Sequence, residues 1–311
     1  MNRVFLWVEE YLFYPKKLSQ RLVSFLLLPF TLIYCFIVVA KRITKKKISF
    51  NLPIISIGNL SIGGNGKTPF LISLCKSRPN IAIILRGYNR KSKNMIIVSE
   101  FGNIKCTVQE CGDEAMLYAK SLPMAIVIVS INRIEGIEFA KNKNVKAIFL
   151  DDAFHHSEID KFDILLEPFK NYQNIFCLPS GPYREPKSFY KKANIIATED
   201  IDFQREVKIT NKTDKMILIT AISKPERLDK YLPKKGIIKK VYFKDHYNFN
   251  KIELSNLIKR YGATSILTTT KDAVKMENFK FNLSILNLHI TIKPYILENI
   301  DEFIDNFGKI K

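Results

Sequence analysis

The chain has 311 residues, 47% hydrophobic and 25% charged, which excludes a disordered polymer and gives enough length for two domains or for one with additions. Its 49 Lys+Arg against 30 Asp+Glu leave a net charge of +19, which favours an anionic partner without choosing between nucleic acid, anionic lipid and a phosphorylated substrate. The five cysteines are an odd number without a CxxC pair, in a chain too large to need disulfide staples, which fits a reducing compartment.

The first element is membrane-like. "RVFLWVEEYLFYP" (3–15) mixes aromatics with charges, as interfacial segments do, although it can equally pack on the globular part. Residues 22–40, "LVSFLLLPFTLIYCFIVVA", run 19 positions without a charge, close to the ~20 that span a hydrocarbon core as helix. The basic cluster Lys41, Arg42, Lys45, Lys46 and Lys47 stands where a cleaved signal would give way to mature protein, so the segment reads as a retained anchor with its C-terminal side in the cytosol. Pro29 lies in its middle and allows a bent or half-inserted form.

Beyond residue 50, apolar runs alternate with helical patterns, which predicts an α/β fold with a largely parallel sheet. Strands are expected at 53–58, 80–85, 124–129, 145–150, 162–166 and 193–198. A polar, charge-rich passage at 199–215 reads as a connector. After it, runs at 215–222, 237–243, 264–270 and 284–292 form a smaller second α/β unit. The expected organisation is an anchor at 1–47, a P-loop core with its connector at 48–214 and a C-terminal α/β subdomain at 215–311.

"PIISIG" leads into "GNLSIGGNGKTPF" (58–70), so strand, glycine-rich turn and helix start follow in the order a phosphate-binding loop requires. Gly63, Gly64, Asn65 and Gly66 let backbone N–H groups curl toward phosphate oxygens at a helix N-terminus. Lys67 is placed to bridge terminal phosphates and Thr68 to hold Mg²⁺. The strict pattern has a glycine where this chain has Ser61; that position serves loop geometry and not chemistry. A neighbouring apolar strand should end in a hard oxygen ligand for the metal, and "VKAIFLDDAFHH" ends in Asp151 and Asp152. A GTPase would carry Asn/Thr-Lys-x-Asp, and in "TTTKDAVK" Lys271 and Asp272 are adjacent.

These motifs together resemble the tetraacyldisaccharide 4'-kinase family of lipid A synthesis. The resemblance rests on "GNLSIGGNGKTP" (58–69), "LRGYNRK" (85–91), "GDEAMLYA" (112–119), "LDDAFHH" (150–156), "LPSGPYREP" (178–186), "KDHYNF" (244–249) and "TTTKDAVK" (268–275), in the family's order; Ala153, His155, Tyr247 and Thr270 depart from it. It implies ATP and Mg²⁺ as cofactors and transfer of the γ-phosphate to the 4'-hydroxyl of an acylated glucosamine disaccharide 1-phosphate. The expected partners are that lipid and membrane lipid, at the cytosolic face of the inner membrane, with no nucleic acid.

By resemblance, Asp113 is the catalytic base and His246 its partner, with Lys67 the third catalytic group. Read without the resemblance, Asp113 complements a helix dipole and His246 sits on a surface loop. Arg86 and Arg184 are candidate phosphate clamps or structural ion-pair partners, and Glu185 joins Thr68, Asp151 and Asp152 in the candidate metal set. Two competing readings are a membrane-attached P-loop NTPase serving a protein or metal-delivery partner, and a basic binding module without catalysis.

Overall fold

The computed structural model describes residues 3–63, 66–88, 90, 94–168, 172–222 and 225–309. Three helices come first: α1 (Arg3–Phe13), α2 (Leu18–Leu26) and α3 (Leu28–Thr44). The first α/β unit follows with β1 (Ile54–Gly58), α4 (Lys67–Cys75), β2 (Ile81–Leu85), β3 (Ile96–Glu100), β4 (Asn103–Ile104), α5 (Val108–Cys111) and α6 (Asp113–Ser121). It continues through β5 (Ala125–Val129), α7 (Arg133–Lys141), β6 (Ala147–Asp151), β7 (Phe162–Glu167) and β8 (Ile195–Thr198). The second unit holds β9 (Phe203–Thr210), β10 (Met216–Thr220), β11 (Ile237–Tyr242), α8 (Lys251–Tyr261), β12 (Ser265–Thr269), α9 (Thr270–Met276), β13 (Leu283–Ile292) and α10 (Pro294–Asn306).

The first sheet has eight strands in the order β4-β3-β5-β2-β6-β1-β7-β8, with β3 alone reversed, antiparallel to both β4 and β5. Strands β1, β2, β5 and β6 are buried along their whole length, which is why they read as largely apolar runs: both faces are covered. Alternate residues serve the two faces. Ile55, Ile57, Ile83 and Val127 meet Phe70 and Leu71 of α4 and Tyr118 of α6 on one side; Ile54, Ile84, Ile126 and Leu150 meet Ile137 of α7 on the other. β1 lies between β6 and β7, so the turn after β1 and the end of β6 open at the same edge of the sheet.

The second sheet has five strands in the order β11-β10-β12-β13-β9, with β9 antiparallel to β13. The connector expected at 199–215 is therefore corrected: its middle, Phe203–Thr210, is β9, paired with β13 from Phe203↔Ile292 to Thr210↔Ile285. Its sequence, FQREVKIT, alternates a half-buried face of Phe203, Arg205, Val207 and Ile209 with an exposed polar one. The second unit so begins near residue 203. The two units share a core, since Phe203, Ile292, Ile296 and Ile300 pack into the cluster under α4 and Phe203 meets Phe70 edge-on at 5.1 Å. Arg78 pairs with Asp301 of α10 at 2.6 Å.

Helix α2 and the start of α3 turn polar side chains inward and apolar ones outward. Gln20, Ser24 and Thr31 are buried, whereas Leu22, Phe25, Leu26, Phe30, Leu32, Ile33 and Phe36 are exposed. Ser24 Oγ donates to the Ser180 carbonyl at 2.6 Å and Thr31 Oγ1 to Ser180 Oγ at 2.7 Å. No single described helix is long and apolar enough to cross a membrane; α2 and α3 pass that test together, bent by 51°. The break falls at Leu27, between the helices. Pro29 sits in the first turn of α3, where its missing N–H costs no hydrogen bond.

Candidate active site

A cleft of about 790 Å³ lies between the units, lined by Gly63, Gly66, Lys67 and Thr68 on one wall and by Asp245, His246 and Lys271 on the other. The phosphate loop joins β1 to α4. Gly63 (φ 99°) and Gly66 (φ 80°) adopt the left-handed region that favours glycine; Gly64 and Asn65 lie outside the described residues. Ser61 is buried and bridges to Tyr183 in a short antiparallel contact, and the next residue's N–H donates to the Pro182 carbonyl at 2.8 Å. Held in this way against residues 182–184, and without a positive φ, position 61 has no need of glycine.

Lys67 opens α4 and extends its ammonium to Asn59 Oδ1 at 2.8 Å and to Asp152 Oδ1 at 3.6 Å. Arg184 grips Asp152 with both ends of its guanidinium, at 2.9 and 2.8 Å, and also donates to Asn59 Oδ1 at 2.7 Å. Burial works to raise the Asp152 carboxyl, but Arg184 and Lys67 outweigh it and hold the group well below the usual carboxylate range. Asp151 ends β6 beside Ile57 of β1. Burial, with Glu114 nearby, pushes its pKa up to about 7. Its Oδ2 accepts from the Tyr118 hydroxyl at 3.0 Å, while its buried Oδ1 has no hydrogen-bond partner among the described residues. An orphaned carboxylate oxygen, a second carboxylate and the Thr68 hydroxyl at one sheet edge are hard oxygen donors of the kind a divalent cation takes.

On the facing wall, Asp113 begins α6 and is nearly fully buried. His246 Nδ1 lies 3.0 Å from Asp113 Oδ2 and 3.1 Å from Oδ1, bringing together two residues 133 positions apart. Lys275 and Lys271 of α9 add ammonium groups 3.5 and 3.7 Å from the same carboxylate. Burial acts to raise the Asp113 carboxyl, yet His246 and the two lysines keep it far below its ordinary value. The hydrogen bond to Asp113 in turn raises His246, against burial. His246 lines the cleft, and its left-handed backbone (φ 60°) is unusual for a residue with a side chain. Asp272 is buried at the start of α9, where its carboxylate accepts from Thr220 at 2.7 Å and the Ala221 N–H at 3.0 Å. It pairs with Lys275 at 2.9 Å, and so fixes α9 and its lysines against Asp113.

Arg86 is exposed at the rim of the cleft. Glu185 is not brought to the aspartate pair as the metal set from sequence required. Its carboxylate pairs instead with Arg42 of α3 at 3.0 Å, with Arg42 stacked over Phe154. Sequence reasoning also missed Asn59, Tyr118, Lys275 and Arg205. Asn59 and Lys275 lie inside quoted motifs or next to them, and only their partners show what they do.

A family model described as LpxK, tetraacyldisaccharide-1-P 4'-kinase, matches residues 23–215 and 203–307. The chain is 51% identical to the tetraacyldisaccharide 4'-kinase of Aliarcobacter butzleri, over 98% of this chain and 99% of that one. It is 45% identical to that of Helicobacter pylori (96% and 95% covered) and 43% identical to that of Campylobacter jejuni (97% of each). Among solved structures, LpxK from Aquifex aeolicus in complex with ATP superposes with a TM-score of 0.78 at 28% identity, covering 91% of this chain and 99% of that one. With the phosphate loop, the aspartate pair and the Asp113–His246 contact arranged around one cleft, the chain belongs to the tetraacyldisaccharide-1-P 4'-kinase family.

Proposed function

We propose that this chain transfers the γ-phosphate of ATP to the 4'-hydroxyl of a tetraacylated glucosamine disaccharide 1-phosphate. The observation that carries this reading is the cleft itself. A phosphate cradle forms one wall, and a carboxylate–imidazole pair reaches in from the other. A sugar hydroxyl is a weak nucleophile, so its proton must be accepted as the new O–P bond forms and ADP leaves. The Asp113–His246 pair accepts that proton as a unit, with His246 the member that lines the cleft. Lys67 moves from Asn59 to the phosphoryl oxygens, and Arg86 supplies a further cation at the rim. Thr68, Asp151 and Asp152 would hold Mg²⁺, which neutralises phosphate charge when bound. Arg184 orients Asp152 and does not itself need to touch substrate.

The acylated substrate stays in its bilayer, since each buried CH₂ holds it by about 0.8 kcal/mol. The outward apolar face of α2 and α3 suits docking to the same bilayer, with the basic residues from Lys41 to Lys47 at its cytosolic side. This supports an inner-membrane location with the cleft in the cytosol. The test is transfer of labelled γ-phosphate to the disaccharide 1-phosphate in detergent, comparing wild type with Lys67→Ala and Asp113→Ala. Label should enter the lipid in wild type alone; wild-type protein that hydrolyses ATP and never labels the lipid overturns the reading.

A further inference from the structure

A cation from the second sheet lies against the phosphate loop. Arg205 belongs to the half-buried face of β9 and lines the cleft. Its Nε lies 2.8 Å from Glu199 Oε1. The other side of its guanidinium covers Gly66, where a β-carbon would come 2.9 Å from Cζ and 3.2 Å from Nη1. Gly66 is the cap of α4, next to Lys67. The guanidinium therefore stands at the end of the helix that receives phosphate, held along one edge by a carboxylate. A guanidinium is a planar fork of N–H donors, the geometry that suits a phosphate. Lys67 comes from the first unit and Arg205 from the second, so an anion at this loop would be gripped from both walls.

We propose that Arg205 is a ligand of the nucleotide's phosphate chain, contributed by the second α/β unit and positioned by Glu199. The proposal rests on the ATP-dependent reading above and adds a recognition residue outside the phosphate loop. It also gives β9 a task, because phosphate bound between Gly66 and Arg205 ties the second sheet to the first.

The experiment uses the full chain in detergent, with calorimetric binding of ATP and of adenosine, the same base and sugar without phosphate. Wild type is compared with Arg205→Gln, Arg205→Lys and Glu199→Gln. Loss of a charge-assisted phosphate contact is expected to weaken ATP by about tenfold or more in Arg205→Gln, with adenosine unchanged. The KM for ATP should rise in proportion while kcat at saturating ATP stays within about threefold. Arg205→Lys should recover part of the loss, since it keeps the charge without the fork, and Glu199→Gln should lie between wild type and Arg205→Gln. ATP affinity that is unchanged in Arg205→Gln, or ATP and adenosine weakened equally, overturns the proposal and leaves a structural ion pair. If Arg205→Gln does not fold, Arg205→Lys decides alone: wild-type ATP affinity with that variant refutes the fork. Wild-type protein that binds no ATP overturns the kinase reading as well, so the two failures are distinguishable.

Discussion

Replacing Asp113 by Asn tests whether a buried carboxylate organises the second wall of the cleft. The side chain keeps its shape and an oxygen able to accept from His246, so the change removes charge and little else. Three cationic groups face that charge: His246 at 3.0 Å, Lys275 at 3.5 Å and Lys271 at 3.7 Å. Leaving a buried charge without its partner typically costs 3–5 kcal/mol. The lysines retain other carboxylates here, Lys271 with Glu114 and Asp245, Lys275 with Asp272, which places the expected loss near the lower end, about 3 kcal/mol at acidic pH. The sign of the pH dependence follows from His246. Its folded value is raised, so the pairing contributes its full stability below the ordinary histidine value near 6.5 and loses it as pH rises through the folded value. Asp113 is held low and stays ionised throughout that window. The deficit of Asp113→Asn should therefore be largest near pH 5.5 and shrink by pH 9, as read by urea unfolding. In parallel, the imidazole resonances of His246 should titrate at lower pH in the variant, and kcat should fall by roughly 10²–10⁴. A deficit that grows with pH, or a His246 titration that the substitution leaves in place, refutes this account.

Lys275→Met removes a nearly buried ammonium that lies over the Phe249 ring and pairs with Asp113 and Asp272; unfolding should be easier by about 3–5 kcal/mol, with His246→Gln as the milder comparison. Asp151 is raised to about 7, so on its own it favours the folded state below its ordinary value and withdraws that support as pH rises toward 7. Mg²⁺ should accordingly raise the melting temperature more at pH 8 than at pH 5.5, and its binding at pH 6 should release protons, seen as a calorimetric heat that varies with buffer. Equal stabilisation at both pH values would refute this role for Asp151.

Strands β1, β2, β5 and β6 were legible in the amino-acid sequence because burial on both faces keeps them apolar, apart from Ser56, which bonds to buried Asp163, and Asp151 at the ligand end of β6. β9 was not, since its outer face carries Gln204, Glu206, Lys208 and Thr210, and Arg205 gives even its inner face a charge. The same contrast holds for the site. Lys67, Thr68 and the aspartate pair are announced by strand ends and helix starts beside them. Asn59, Tyr118, Lys275 and Arg205 take their meaning from neighbours distant in the chain, which periodicity does not encode. Glu185 shows the opposite error: a carboxylate in a candidate metal motif proves to be the partner of Arg42, in a helix more than 140 positions away. The pairing of Asp113 with His246 came only from resemblance, because nothing local links an α6 cap to a loop 133 positions later.

The inside-out packing of α2 and the start of α3 bears on how this enzyme can be handled. Asn174 donates to Ser24 Oγ at 3.3 Å, Tyr34 donates to the Arg184 carbonyl at 2.8 Å, and Arg42 holds Glu185 at 3.0 Å. Deleting the first 47 residues would thus unroof the turn that carries Arg184, the clamp on Asp152. Recolouring the outer surface, with Phe25, Leu26, Phe30 and Phe36 changed to Gln or Lys, removes the apolar face and leaves the inward hydroxyls that hold this roof untouched.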